Sequence, residues 1–100
     1  MAAATSTTSW IERSAEAGSD VLYLTGVWRL ANVPAIAARL HELGLREGSP
    51  VVLDGSRIET LDTAAGFILL RHLAGAGFTR AMVSARGFDP RYERLLLLVY

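Results

Sequence analysis

Few residues in this chain have the type and spacing to do chemistry. The most promising are a carboxylate and a hydroxyl at a predicted helix start. In Ile58-Glu59-Thr60-Leu61-Asp62-Thr63-Ala64-Ala65-Gly66-Phe67, Asp62 and Thr63 stand between a strand pattern and an apolar helix pattern. The free N–H groups and positive dipole end of such a terminus can tolerate a phosphate or hold a partner's anion. The same two residues are also ordinary helix caps. Residue type alone leaves both uses open.

The other arrangements are weaker. His41 and His72 are the only imidazoles and fall on different predicted helices. Neither pairs with an acid at the spacing of a known ligand set, so no metal site is expected. The absence of cysteine excludes disulfides, thiolate chemistry and cysteine-based zinc sites. Gly75-Ala76-Gly77 follows a helix and precedes a strand, the reverse of a dinucleotide fingerprint, and reads as a helix stop. There is no phosphate-binding loop and no Gly-x-Ser-x-Gly elbow. Asp54 ends a predicted strand, as a phospho-acceptor would. That chemistry needs a metal held by further carboxylates and a basic group to read the phosphate. The preceding strand ends in Trp28-Arg29, and the chain has no lysine. The expectation is a non-enzyme without a cofactor.

The elements that position these residues follow from apolar period and stop signals. Trp10 to Ala15 and Val21 to Trp28 read as strands joined by a turn through Gly18, Ser19 and Asp20, an antiparallel hairpin. The continuous Val21-Leu22-Tyr23-Leu24 suits a strand covered on both faces. A helix over Val33 to Leu43 has Asn32 as its cap, Pro34 in its first turn and Gly44 as its left-handed stop. Its stripe is Val33, Ile36, Ala37, Leu40 and Leu43. Val51 to Leu53 is the next strand, ending at Asp54-Gly55-Ser56. A helix over Ala64 to Ala74, a strand over Ala81 to Ser84 and a last helix from Asp89-Pro90 complete the chain. The order β-β-α-β-α-β-α predicts an α/β fold, a partly parallel sheet with packed helices. On the second helix, Phe67, Leu70, Ala74, Gly66, Leu73, Leu69 and Ala65 cover about 200° without a charge, more than one sheet contact uses. The surplus serves either another helix of the same domain or a partner.

One hundred residues, 51% apolar and 20% charged, suit one globular domain. Residues 1–8 read as a loose tail and 9–100 as the domain. Ten arginines balance ten acids, so no net field draws in nucleic acid or an anionic membrane. The longest strongly apolar run, Leu95 to Tyr100, is too short to enter a bilayer as a span. It carries no helix stop, as expected of a piece cut from a longer protein.

Leu24-Thr25-Gly26-Val27-Trp28, Val51-Val52-Leu53-Asp54-Gly55-Ser56 and above all Leu61-Asp62-Thr63-Ala64-Ala65-Gly66 resemble the STAS domains of anti-sigma-factor antagonists and sulfate transporters. The resemblance covers Val21 to Tyr100. Gly26-Val27-Trp28 and the Leu-Asp-Thr-Ala segment are similar to the N-terminal STAS domain of Mla-type permeases, subunits of phospholipid-transporting ABC transporters. The resemblance implies a four-stranded mixed sheet, no cofactor and no catalysis. It implies a regulatory adaptor at the cytoplasmic face of the inner membrane, docking the transporter's ATPase subunit. Membrane helices would follow in the same chain. Asp62, Thr63 and Phe67 would form the contact. The alternative is a stand-alone anti-sigma-factor antagonist switched by phosphorylation at Thr63. Antagonists carry serine at that position, and Ala64 replaces the hydroxyl that often follows.

Overall fold

The computed structural model describes residues 10–45 and 50–99. The expected tail, residues 1–8, and Tyr100 lie outside the described residues. The chain opens with a hairpin of β1 (Ile11–Glu16) and β2 (Ser19–Trp28), paired antiparallel from Ile11↔Leu24 to Glu16↔Ser19. Only Ala17 and Gly18 lie between them, at φ of 51° and 82°. Two left-handed residues make the mirror-image turn that matches strand twist. The turn therefore starts one residue and ends two residues earlier than expected, and Ser19 and Asp20 belong to the strand.

A 3₁₀ turn over Leu30–Asn32 leads into α1 (Val33–Leu43). The expected Asn32 cap is not made. Its side-chain amide donates to the Val27 carbonyl at 2.8 Å instead, fixing the loop to the strand it leaves. Gly44 ends α1 at φ 58°, and Leu45 tucks into the core behind it. Arg13 donates to the Leu43 carbonyl and Arg39 to the Ile11 carbonyl, both at 3.1 Å, so α1 is tied to the edge strand.

Strand β3 (Val51–Leu61) pairs parallel with β2, with Leu22 opposite Leu53 and Trp28 opposite Leu61. It runs eight residues past the expected stop, through Asp54-Gly55-Ser56. Those turn-prone residues stay extended where long-range contacts hold Asp54, through Arg86, and Gly55, under Phe88. Asp54 is buried in a hydrogen-bonded network with Ser56. Gly55 lies under the Phe88 ring, where a Cβ would approach to 2.3 Å. Helix α2 (Thr63–Gly75) follows, then a 3₁₀ turn over Arg80–Met82, β4 (Val83–Arg86) and α3 (Pro90–Val99). The last strand starts two residues later than predicted because the 3₁₀ turn takes Ala81 and Met82. Asp89 caps α3 by accepting the Arg91 N–H at 2.9 Å.

The sheet order is β1-β2-β3-β4, with one antiparallel pair and two parallel pairs. The fold is thus α/β with a four-stranded mixed sheet, two 3₁₀ turns interrupting the expected succession. Leu22, Leu24, Val51 and Leu53 join Ile36 and Leu40 of α1 and Leu69, Leu70 and Leu73 of α2 in one apolar core. Burying side chains of this size stabilises by roughly 1.5–3 kcal/mol each before entropy is counted. The continuous apolar run of β2 is buried on both faces near its start: Leu22 and Leu24 lie in the core, and Val21, which points the other way, is 1% exposed. Among the described residues the core lies on one face, and the other carries the row Glu12, Tyr23, Asp54, Arg86. Helix α2 packs against both α1 and α3. Gly66 allows the second contact, since a Cβ there would already stand 3.1 Å from Leu96. Helices of the same domain therefore take up most of the wide uncharged arc of α2.

Candidate functional site

The three residues singled out by sequence stand together where β3 passes into α2. Asp62 takes an extended conformation at the helix N-cap. Its Oδ1 accepts the Ala65 N–H at 2.9 Å and its Oδ2 accepts the Leu30 N–H at 2.8 Å. Its own N–H donates to the Trp28 carbonyl at 2.8 Å. Asp62 thus caps α2 and clamps the β2–α1 loop against it. Both carboxylate oxygens are committed to the fold.

Thr63 and Phe67 differ from Asp62 in facing outward. Thr63 opens the helix, is exposed, and its hydroxyl makes no hydrogen bond among the described residues. Phe67, one turn on, is 43% exposed, and Leu30 is 67% exposed. These are the exposed large apolar side chains among the described residues, and both flank the Asp62 cap. Sequence reasoning missed Leu30. A single apolar residue after Arg29 has no period to reveal it. Its place beside α2 comes from long-range pairing: Trp28 lies opposite Leu61, and the Leu30 N–H bonds a carboxylate 32 positions away.

A second polar cluster lies on the other sheet face, opposite the apolar core. Asp54 accepts the Ser56 N–H at 2.9 Å, the Ser56 hydroxyl at 2.6 Å and Arg86 Nε at 2.7 Å. Arg86 also donates to Glu16 and to the Tyr23 hydroxyl, and that hydroxyl donates to Glu16. The Arg57 guanidinium lies 4.5 Å from the Tyr23 ring centre. Burial pushes the Asp54 carboxyl up, but the Ser56 and Arg86 hydrogen bonds outweigh it and hold it below the usual range. The Tyr23 hydrogen bond lowers Glu16, and the same bond raises Tyr23. Each named charge has an opposite partner, as in a network that fixes strand register. Asp54 sits in an ion pair with Arg86, not in a cluster of carboxylates such as a phospho-acceptor's metal requires.

The two histidines, which the sequence placed on separate helices, meet in space. Their ring centres are 5.4 Å apart at an interplanar angle of 85°. They border a cleft of about 360 Å³ lined by Leu40, His41, Gly44, Leu45, His72, Gly75 and Ala76. Burial, and then the neighbouring His41, hold His72 below the usual imidazole range. Among the described residues no group of three or more His, Cys, Asp or Glu could hold a metal. No described helix is long and apolar enough to cross a membrane. No protein-family model and no curated protein matches the chain.

Proposed function

We propose that this chain is a STAS-like, non-catalytic adaptor domain of a phospholipid-transporting ABC permease. In this reading it docks the transporter's ATPase subunit at the cytoplasmic face of the inner membrane, through the start of α2. The observation that carries the reading is that Leu30 and Phe67, both exposed, lie on the two segments that Asp62 joins, next to an exposed Thr63 whose hydroxyl makes no hydrogen bond among the described residues. Large apolar side chains beside a free polar group, on a rigid helix end, are the makings of a small hot spot. Asp62 contributes by holding the two segments in one surface. The stand-alone antagonist remains the second reading, favoured by the exposure of Thr63 at the first turn. A phosphate added there would meet the positive end of α2.

Thr63→Glu tests the docking surface. A carboxylate in the first turn suits the helix dipole, so the variant is expected to melt like the parent. Pressed into a desolvated contact, the same charge costs about 2 kcal/mol or more, roughly a thirty-fold loss of affinity. Binding to the ATPase subunit is measured by calorimetry, with Arg71→Glu, at an exposed site two turns away, as the control. A folded Thr63→Glu that binds as tightly as the parent sinks this surface as the interface. Loss of ATPase binding supports the adaptor. Binding of an anti-sigma kinase that ends on Thr63 phosphorylation supports the antagonist.

A further inference from the structure

We infer that His41 and His72 form a two-imidazole site for a borderline divalent transition metal, bridging the ends of α1 and α2. The first ground is distance. An imidazole nitrogen sits about 2.0–2.1 Å from zinc, which puts each ring centre about 3.2 Å from the ion. Two such rings at a tetrahedral angle stand about 5.2 Å apart. The observed separation is 5.4 Å. The rings meet edge-to-face at 85°, and histidine χ2 is a broad torsion, so rotation about it can aim a nitrogen of each ring at a shared ion.

The second ground is the surroundings. Both histidines lie in the last turns of their helices, and Gly44 and Gly75, which end those helices, line the same cleft. Two C-terminal dipole ends therefore converge there, a field that favours a cation and disfavours an anion. Arg13 already exploits it at the Leu43 carbonyl of α1. The third ground is room. The small residues Gly44, Gly75 and Ala76 leave an open cleft of about 360 Å³, enough for an ion and the waters that complete its shell. The protein supplies two ligands, so the site is open, weaker than a closed four-ligand centre, and selective for nitrogen-seeking metals. A bound ion clasps α1 to α2 at the end of α2 opposite the docking surface, and the inference does not depend on that surface.

The test is a titration of the untagged, chelator-stripped chain with Zn²⁺, Cu²⁺ and Mg²⁺, read by calorimetry and by amide NMR. One equivalent of Zn²⁺ is expected to bind at about 10 µM, Cu²⁺ more tightly, and Mg²⁺ not at all. Amide shifts should concentrate in residues 40–45 and 72–76. His41→Gln and His72→Gln are each expected to weaken Zn²⁺ at least about ten-fold with an unchanged circular dichroism spectrum. Where a variant misfolds, carbethoxylation of the parent decides, because bound zinc should protect both histidines from the reagent. Failure to bind Zn²⁺ at about 1 mM overturns the inference. So does binding that survives loss of both histidines, or zinc that leaves both open to modification.

Discussion

The two ends of α2 are built on opposite plans. At the start, the charged group is fully used: Asp62 gives one oxygen to the helix and the other to the Leu30 loop. Exposed beside it are Leu30, Thr63 and Phe67. At the finish, two imidazoles border an open cleft. One end spends its polarity on the fold and offers a surface for burial. The other offers donor atoms. Helix α2 packs against both α1 and α3, and its two ends can be tested separately.

The largest effect is expected from cutting the clamp. Asp62→Ala removes the N-cap bond and leaves the Leu30 N–H without its acceptor. Caps contribute about 1 kcal/mol and a bond to a charged acceptor about 1.5–3, so denaturant melts should show a loss of about 2–3 kcal/mol. Asp62→Asn sharpens the point. An amide has a single acceptor oxygen, so it can serve Ala65 or Leu30 but not both. It is expected to recover about half of the loss. If asparagine behaves like the parent, the second oxygen does not hold the loop, and Leu30 and Phe67 are not one surface.

Much of this arrangement was legible in the residues, and the failures have physical causes. The α1 boundaries, the capping aspartates at 62 and 89 and the Gly44 stop rest on local chemistry, which a sequence carries openly. The length of β3 does not. Asp54-Gly55-Ser56 is turn chemistry overruled by an arginine 32 residues on and by the Phe88 ring. The hairpin turn hid because an alanine at position 17 takes a left-handed conformation usually given to Gly or Asn. At the site, Asp62, Thr63 and Phe67 fall within six consecutive residues at the start of α2, so a sequence reading takes them together. Leu30 and the facing of His41 on His72 are long-range pairings, set by how the loops and helices pack.

A smaller effect is expected at the exposed phenyl ring. Full burial of a Phe is worth about 1.5–3 kcal/mol, but Phe67 is 43% exposed and alanine regains up to about 0.7 kcal/mol of helix propensity. Phe67→Ala should therefore destabilise by under about 1 kcal/mol while weakening partner binding far more than ten-fold, roughly 1.4 kcal/mol. A melt that falls as far as that of Asp62→Ala would mark Phe67 as part of the core and break the contrast between the ends.

The smallest effect belongs to the other end and is visible only through pH. An unshifted imidazole titrates at 6.5, and His72 is held below that by burial and by His41. Above 6.5 the folded and unfolded chains are both neutral at this position, and stability does not change with pH on its account. As pH falls below 6.5 the unfolded chain takes up the proton first, so stability drops until the depressed folded value is passed and then levels off. His72→Gln removes this pH dependence, leaving every other titrating group in place. With chelator present to exclude metal, the parent is expected to lose a few degrees more of melting temperature between pH 7 and pH 5 than His72→Gln does. Equal losses would mean that a protonated His72 is as well accommodated in the folded chain as in water. The crowding of two imidazoles at the end of α2 would then have no energetic consequence.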